Sequence, residues 1–449
     1  MASRNRRHSA AVGALALVAL IGSAVHAAAD EPSAPTDSHV TNSVMLNPTT
    51  DTPVPTTNGL QLALAGPLGD AALGPDVKAI VIDAQTGQQL WNQNADQPAT
   101  PASTTKVVTA ASALSALGAD ATLTTRVLAS PDNATITLVG GGDPLLAVKG
   151  KKREGIPTAS LSSLAKQTAT ALKAHSVTNV TVTYDDSMFG GPATDPQWEA
   201  GYISGALITP ITALMADRGF IGGTPNSDPS LATTKAFVGR LKANGIGVSA
   251  DVVKAAPVDG ASQLAAVSSS PLSLIVQQML EHSDNTTAET LAHLAGWKRY
   301  GTGTFDTGTQ AAKQTLQDLS INDAGLALSD GSGLARSDRI PPRILGELIS
   351  AAARNVNPNL WALPAGDPVA GFSGTLNDRF IASADKVGRG MVRAKTGTLT
   401  GVSALAGTAV DSQGRLLAFA FMASAVPNVF TAEAALDVAA TALVKCGCQ

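Results

Sequence analysis

Short strand-like apolar runs bounded by turns mark the two ends of the folded part of the chain, and helical spacing appears between them. Near the start, "VKAIVIDAQTGQQLWNQNAD" (77–96) places strand-like runs at Lys78–Asp83 and Gln89–Asn92 around a glycine-containing turn, which predicts a β-hairpin. Near the end, "RAKTGTLTGVSALAGTAVDSQGRLLAFAFMASA" (393–425) predicts three more strands, the last two joined by a turn at Asp411–Gly414, and an Ala-rich helix follows over Thr431–Val444. Two strands at the start and three at the end predict one antiparallel sheet closed by both ends of the chain. Residues 122–222 alternate strand-like runs with a helix near Leu161–Leu172, which predicts a separate α+β insert. Gly140-Gly141-Gly142-Asp143-Pro144 lacks the G-K-[ST] ending of a phosphate loop and reads as a tight turn.

At 449 residues, two domains are expected. The net charge of −4 carries no basic footprint and excludes nucleic acid as the expected partner. Residues 1–29 have a basic start (Arg4, Arg6, Arg7), an apolar run Ala11–Val25 and small residues at Ala27–Ala29. This order predicts an export signal, with a retained N-terminal anchor as the alternative to cleavage. Residues 30–59, rich in Pro and Thr, predict an extended tether. Cys446 and Cys448 read as two tail thiols without a catalytic part, since the ring their pairing would close is small. No metal-ligand spacing appears and no cofactor is implied.

The pattern S-x-x-K occurs at Ser103/Lys106, Ser163/Lys166 and Ser383/Lys386. Ser163 and Lys166 lie off the apolar stripe of their helix, and Ser383 and Lys386 lie in a charged, Gly-rich connector. Ser103 alone opens a helix that is apolar nearly all round (Val107, Val108, Ala110, Ala111, Leu114, Leu117), hence a buried one. Burial lowers a lysine's pKa, which a base acting on the Ser103 hydroxyl needs, and the helix start offers the Ser103 N–H to an oxyanion. A second element is Ser283-Asp284-Asn285. One helix is expected to end near His282 and Thr286 with Glu289 to form the capping box of the next, leaving these three in the loop. A third is Lys395-Thr396-Gly397 on a predicted strand, where the glycine is expected to let a substrate backbone approach.

In this order the three elements resemble the motifs of the penicillin-recognising serine enzymes. "GGGDPLL" (140–146), "DDSMFGGP" (185–192), "SDNTTAETL" (283–291) and "DGSGLAR" (330–336) narrow the resemblance to the class C low-molecular-mass penicillin-binding proteins, the D-alanyl-D-alanine carboxypeptidase/endopeptidase family. It covers nearly everything after Gly59. It implies an α/β (α+β) penicillin-binding, serine-transpeptidase-like domain over 60–121 and 223–449, with an antiparallel sheet flanked by helices and one insert at 122–222.

The resemblance also implies that Ser103 attacks the bond between the terminal D-alanines of a peptidoglycan stem peptide, with Lys106 as general base and Ser283 relaying the proton to the leaving amine. Asn285 would hold the substrate amide and the lysine. Lys395 and Thr396, beside Gly397, would bind the terminal carboxylate, and the Thr398 N–H would complete the oxyanion hole. Arg336 and an aspartate of "DDSMF", Asp186 or Asp185, resemble residues that bind the charged end of a diaminopimelate side chain. β-Lactam antibiotics are the expected inhibitors, and the periplasmic space or cell wall, or secretion, the expected location. Three other readings compete. A β-lactamase would share the motifs, but no Glu-containing deacylation loop is evident. A non-catalytic wall scaffold would have no need of all five reactive residues. A Ser-His-Asp hydrolase lacks its G-x-S-x-G elbow.

Overall fold

The computed structural model describes residues 52–150, 152–153 and 155–448. The expected export signal and residues 30–51 of the expected tether lie outside them. The rest of that segment is not a tether: α1 (Thr57–Leu68) starts at the Thr56 cap, and its Leu60, Leu64 and Leu68 are buried. A Leu every fourth residue gives this short helix one apolar edge, which the run of Pro and Thr before it hides from a compositional reading.

The main sheet contains β1 (Asp76–Asp83) and β2 (Gln89–Gln93) from the N-terminal side, and β11 (Val392–Leu399), β12 (Val402–Val410) and β13 (Leu416–Ser424) from the C-terminal side, in the order β11-β12-β13-β1-β2. All neighbours are antiparallel, and β1 pairs along its whole length with β13. Alternate side chains enter different cores. Ile80 and Ile82 of β1 join Ala418, Ala420 and Met422 of β13 on one face, whereas Ala79 and Val81 join Phe419 and Phe421 on the other. Both faces are therefore buried, and the strands read as continuous apolar runs. α1 and the C-terminal helix α11 (Val429–Lys445) cover one face, and the larger helical layer covers the other.

That layer is built around α2 (Thr105–Leu117), buried from Thr105 to Leu114. It packs against α6 (Leu272–His282), α7 (Asn285–Tyr300), α8 (Phe305–Asp318) and α9 (Pro342–Ala353), with the short α10 (Ala362–Gly366) beside α6. Ala, Ser and Thr on α2 keep its surface low enough for helices to meet it on every side.

The insert carries its own six-stranded sheet. β3 (Thr124–Ala129) and β4 (Thr135–Val139) are antiparallel, and β7 (Asn179–Asp185) lies parallel to β4 across α3 (Leu161–Ala174). The sheet does not close at residue 222 as expected. After α4 (Gly201–Ser204) and α5 (Pro229–Ala243), β8 (Gly247–Val248) and β9 (Val253–Lys254) pair with β7, and β10 (Ser262–Ser268) pairs with β3. The insert thus runs to Ser268, because its first strand finds its partner after the segment at which the sequence suggested a boundary. A two-stranded ribbon, β5 (Lys152–Arg153) with β6 (Ile156–Pro157), projects from it. α3 and α5 cover its sheet around Val127, Leu138, Leu164 and Phe237. Cys446 and Cys448 are joined in a disulfide, rather than remaining the two thiols expected.

Both ends of the chain meet at a buried ion pair. Asp83 at the end of β1 accepts from Nε and NH2 of Arg415, whose NH1 donates to the Thr52 carbonyl at 3.1 Å. Removing one partner leaves the other charge buried alone, so Asp83→Ala should lower unfolding stability by roughly 3–5 kcal/mol in denaturant melts. A loss under about 1 kcal/mol would mean that water reaches Arg415.

Candidate active site

The turn before α2 carries the first motif. Ala102–Thr104 form a 3-10 turn in which Ala102 takes φ +47°, the left-handed region that residues with a Cβ avoid. Two glycines hold this strained turn from opposite sides. A Cβ on Gly333 would lie 1.8 Å from the Ala102 carbonyl oxygen, and one on Gly397 would lie 2.6 Å from that of Pro101. Gly397 therefore admits the Ser103 turn against β11, where the expectation was the approach of a substrate backbone. The turn leaves Ser103 half-buried while Lys106, one turn further on, is fully buried.

Lys106 Nζ lies 2.9 Å from Ser103 Oγ, 2.8 Å from Asn285 Oδ1 and 2.7 Å from the Ser332 carbonyl oxygen. The other end of the Asn285 amide is fixed, since Nδ2 donates to the Leu207 carbonyl at 2.9 Å. Asn285 Oδ1 and Ser332 O can only accept. A neutral amine has two hydrogens and one lone pair. Donating to these two carbonyls turns the lone pair toward Ser103, the one partner of the three that can donate. Burial lowers the Lys106 pKa to about 8, against the opposing pull of Asp330 and Glu289. Near neutral pH a far larger share of Lys106 is then neutral than of a free lysine.

Ser283 ends α6 in the left-handed conformation, φ +55°, which lifts its hydroxyl toward β11. Lys395 Nζ donates to Ser283 Oγ at 2.9 Å and to the Thr396 carbonyl at 2.8 Å. Burial, and then the nearby Lys106 cation, hold the Lys395 pKa well below the usual lysine range, with Asp367 opposing. Thr396 Oγ1 is 2.9 Å from Thr375 Oγ1, and Thr398 Oγ1 donates to Glu433 at 2.6 Å. On β11 the Ala394 N–H points away from β12, donating to Pro368 O at 3.0 Å. The strand repeat puts the Thr396 and Thr398 N–H groups on that same outer edge.

Two local expectations need correction. Ser283, Asp284 and Asn285 do not form a loop: Asn285 is the first residue of α7 and Asp284 its cap, accepting from Thr287 N at 2.9 Å. Glu289 takes no part in a capping box with Thr286. It is fully buried and accepts from Gly331 N and Ser332 N. The cap lies two residues earlier than the S/T-x-x-E pattern suggests because Asp284 competes successfully for it.

Arg336 is brought to the rim beyond β11, where it donates to Glu199 at 2.7 Å and to the Thr400 carbonyl at 3.0 Å. Asp186 is elsewhere. It is buried in the insert, accepting from Ser230 Oγ at 2.6 Å and paired with Lys254 at 2.6 Å, while Asp185 is half-buried beside it. The other serine–lysine pairs, Ser163/Lys166 and Ser383/Lys386, are exposed.

A strap of the insert that sequence reading passed over crosses this region. Trp198 Nε1 donates to Asp330 at 2.8 Å, Glu199 meets Arg336, Leu207 O meets Asn285, and Arg218 pairs with Asp284. Main-chain acceptors such as Leu207 O and Ser332 O leave no trace in side-chain identity. Of these, only Ser332 sits in a stretch, "DGSGLAR", that the sequence had singled out.

A serine and a buried lysine at the head of the central helix, a second serine and an amide where α6 meets α7, and a second buried lysine on the edge strand of the antiparallel sheet form the site of a penicillin-recognising serine enzyme. Residues 60–227 and 224–443 match the D-Ala-D-Ala carboxypeptidase 3 (S13) family. A carboxypeptidase of Mycobacterium tuberculosis is 38% identical over 402 residues, covering 88% of this chain and 85% of the relative. A D-alanyl-D-alanine carboxypeptidase of Actinomadura sp. is 29% identical over 427 residues, covering 78% of each. Among solved structures, penicillin-binding protein 4 of Haemophilus influenzae superposes with a TM-score of 0.68 at 20% identity, over 85% of this chain and 97% of that one. The chain belongs to the D-Ala-D-Ala carboxypeptidase 3 (S13) family; it is a serine D-alanyl-D-alanine carboxypeptidase.

If Lys106 is the base for Ser103, only its neutral form can act, since the protonated amine has no lone pair. Acylation of Ser103 should fall about tenfold for each pH unit below the Lys106 pKa of about 8 and level off above it. Stopped-flow acylation by a chromogenic β-lactam across pH 5.5–9.5 reads this, and a flat profile would remove Lys106 as the base.

Proposed function

We propose that the protein removes the terminal D-alanine from peptidoglycan stem peptides through an acyl-enzyme on Ser103. The observation that carries this reading is the lone pair of Lys106, which two obligate acceptors, Asn285 Oδ1 and Ser332 O, turn onto the Ser103 hydroxyl. Lys106 takes the Ser103 proton as Oγ bonds to the carbonyl carbon between the two D-alanines. The N–H groups of Ser103 and Thr398 receive the oxyanion. The intermediate collapses by breaking the C–N bond, and Ser283 gives its proton to the departing amine while the proton taken up by Lys106 replaces it. Water then attacks the ester, giving the shortened peptide and free Ser103.

Lys395 and Thr396 meet the carboxylate of the leaving D-alanine. That anion favours the charged form of Lys395, and charge on Lys395 in turn disfavours charge on Lys106. Arg336 at the rim offers a guanidinium to a further carboxylate of the peptide, in competition with Glu199. β-Lactams enter the same reaction. Because ring opening leaves the amine tethered, the acyl-enzyme persists, and a β-lactamase reading would require its rapid hydrolysis.

Mixing the protein with a labelled penicillin should give a covalent mass gain that Ser103→Ala abolishes, and wild type should release D-alanine from a D-Ala-D-Ala-terminated peptide. A mass gain without D-alanine release, together with fast penicillin turnover, would replace the peptidase reading with a β-lactamase. No mass gain would favour a wall-binding scaffold.

The basic start, apolar run and small residues of positions 1–29 support action outside the cytoplasmic membrane, where such peptides are found. Residues 1–29 fused to a reporter active only after export should yield signal, and loss of the Ala11–Val25 run should remove it.

A further inference from the structure

Glu289 lies one helical turn after Asn285 on α7, fully buried, and the reaction above gives it nothing to do. Its Oε1 accepts from Ser332 N at 2.7 Å and Gly331 N at 3.1 Å, and its Oε2 accepts from Gly331 N at 2.9 Å. The carbonyls of the same two residues point the opposite way. Gly331 O accepts from Thr109 Oγ1 at 2.6 Å, and Ser332 O from Lys106 Nζ at 2.7 Å. Two peptide units therefore connect the carboxyl group on α7 to the amine on α2. A Cβ on Gly331 would lie 2.6 Å from the Ala292 Cβ, so the loop is pressed onto α7 with no room for a side chain.

We propose that Glu289 is a positioning residue for the general base: through the N–H groups of Gly331 and Ser332 it holds the Ser332 carbonyl on Lys106 Nζ and so aims the amine at Ser103. This rests on the proposed role of Lys106. In its ionised form a carboxyl group suits the task because both its oxygens accept, matching two converging N–H donors. An amide of the same size has one acceptor and would turn its own N–H groups on a donor. Asp330 braces the loop from the other side, accepting from the N–H groups of Ser332 (3.1 Å), Gly333 (2.6 Å) and Ala335 (2.8 Å).

The titratable groups around Glu289 come from several elements. Lys106 comes from α2, His293 from the next turn of α7, Asp330 and Asp338 from the loop, Asp195 from the insert, and Lys395 from β11 beyond Lys106, with Asp367 acting on Lys395. Burial pushes Asp338 up to about 10 and His293 down to about 4, so both are neutral near pH 7.5. Burial and the neighbouring Asp330 also push the Glu289 carboxyl well above its usual range, against the pull of its N–H donors. Any negative charge on Glu289 raises the Lys106 pKa.

The test compares wild type with Glu289→Gln, Glu289→Asp and Asp437→Asn, the last removing a buried carboxylate that holds Arg379 on the far face of the sheet. Two quantities are read in the full chain: the acylation rate with labelled penicillin, and titration of the lysine side-chain nitrogens by NMR, assigned with Lys106→Arg. Glu289→Gln should acylate about tenfold or more slowly with the half-saturating concentration changed less than about threefold, and Lys106 should titrate at lower pH than in wild type. Glu289→Asp, which keeps the carboxyl group but reaches less far, should fall between. Asp437→Asn should lower the melting temperature while leaving both readouts at wild-type values. Wild-type rate and unmoved titration in Glu289→Gln would overturn the proposal. So would equal effects of Glu289→Gln and Asp437→Asn, since those report lost stability alone. If Glu289→Gln does not fold, Glu289→Asp decides by the same two readouts. If wild type is not acylated, the peptidase reading fails, and the Lys106 titration still decides whether Glu289 acts on the amine.

Discussion

The burial of one amine governs the arrangement of the whole site. Lys106 has no access to solvent, so every hydrogen it carries has to meet an acceptor supplied by the protein. These acceptors come from three separated parts of the chain, Ser103, Asn285 and Ser332, and the lysine draws α2, α7 and the 330–333 loop together at one atom. The same burial brings its pKa into the range where a lysine can accept a proton. Structural and chemical demands are thus met by one placement.

Holding the nucleophile takes a second constraint. The Ser103 turn includes a left-handed alanine, and such a conformation persists only where its surroundings leave no alternative. Gly333 and Gly397 provide those surroundings by letting backbone meet backbone on both sides of the turn. The sheet that carries Gly397 is closed by strands from both ends of the chain and tied by Asp83 and Arg415, so the geometry at Ser103 depends on the folding of the entire molecule.

The insert is part of this arrangement. Its strap supplies a carbonyl to Asn285, a cation to Asp284, an indole N–H to Asp330 and a carboxylate to Arg336. The contacts to Asn285, Asp284 and Asp330 bear on groups that surround Lys106, and the one to Arg336 lies at the rim. A change in how the insert folds would therefore be felt at the lysines.

Much of this was legible in the sequence because it depends on local spacing. Short apolar runs bounded by turns marked the five strands of the main sheet, uniform apolarity marked α2 as central, and three short motifs marked the serines, lysines and amide that the structure gathers around Lys106 and Lys395. What the sequence could not determine depends on partners distant along the chain. The insert closes with a strand at Ser262–Ser268 because β3 needs a neighbour, and no local pattern announces that pairing. Glu289 looks like a capping residue by spacing, yet it is a buried acceptor for a loop more than forty residues away. Gly397 looks like a gap left for substrate, yet it is filled by the nucleophile's own turn. Asp186 looks like a residue for a substrate ammonium, yet Ser230 and Lys254 meet it inside the insert. Periodicity and motif order are properties of neighbours in sequence and determine elements and reactive groups. Which acceptor each buried donor finds is a property of neighbours in space, and only the tertiary structure decides it.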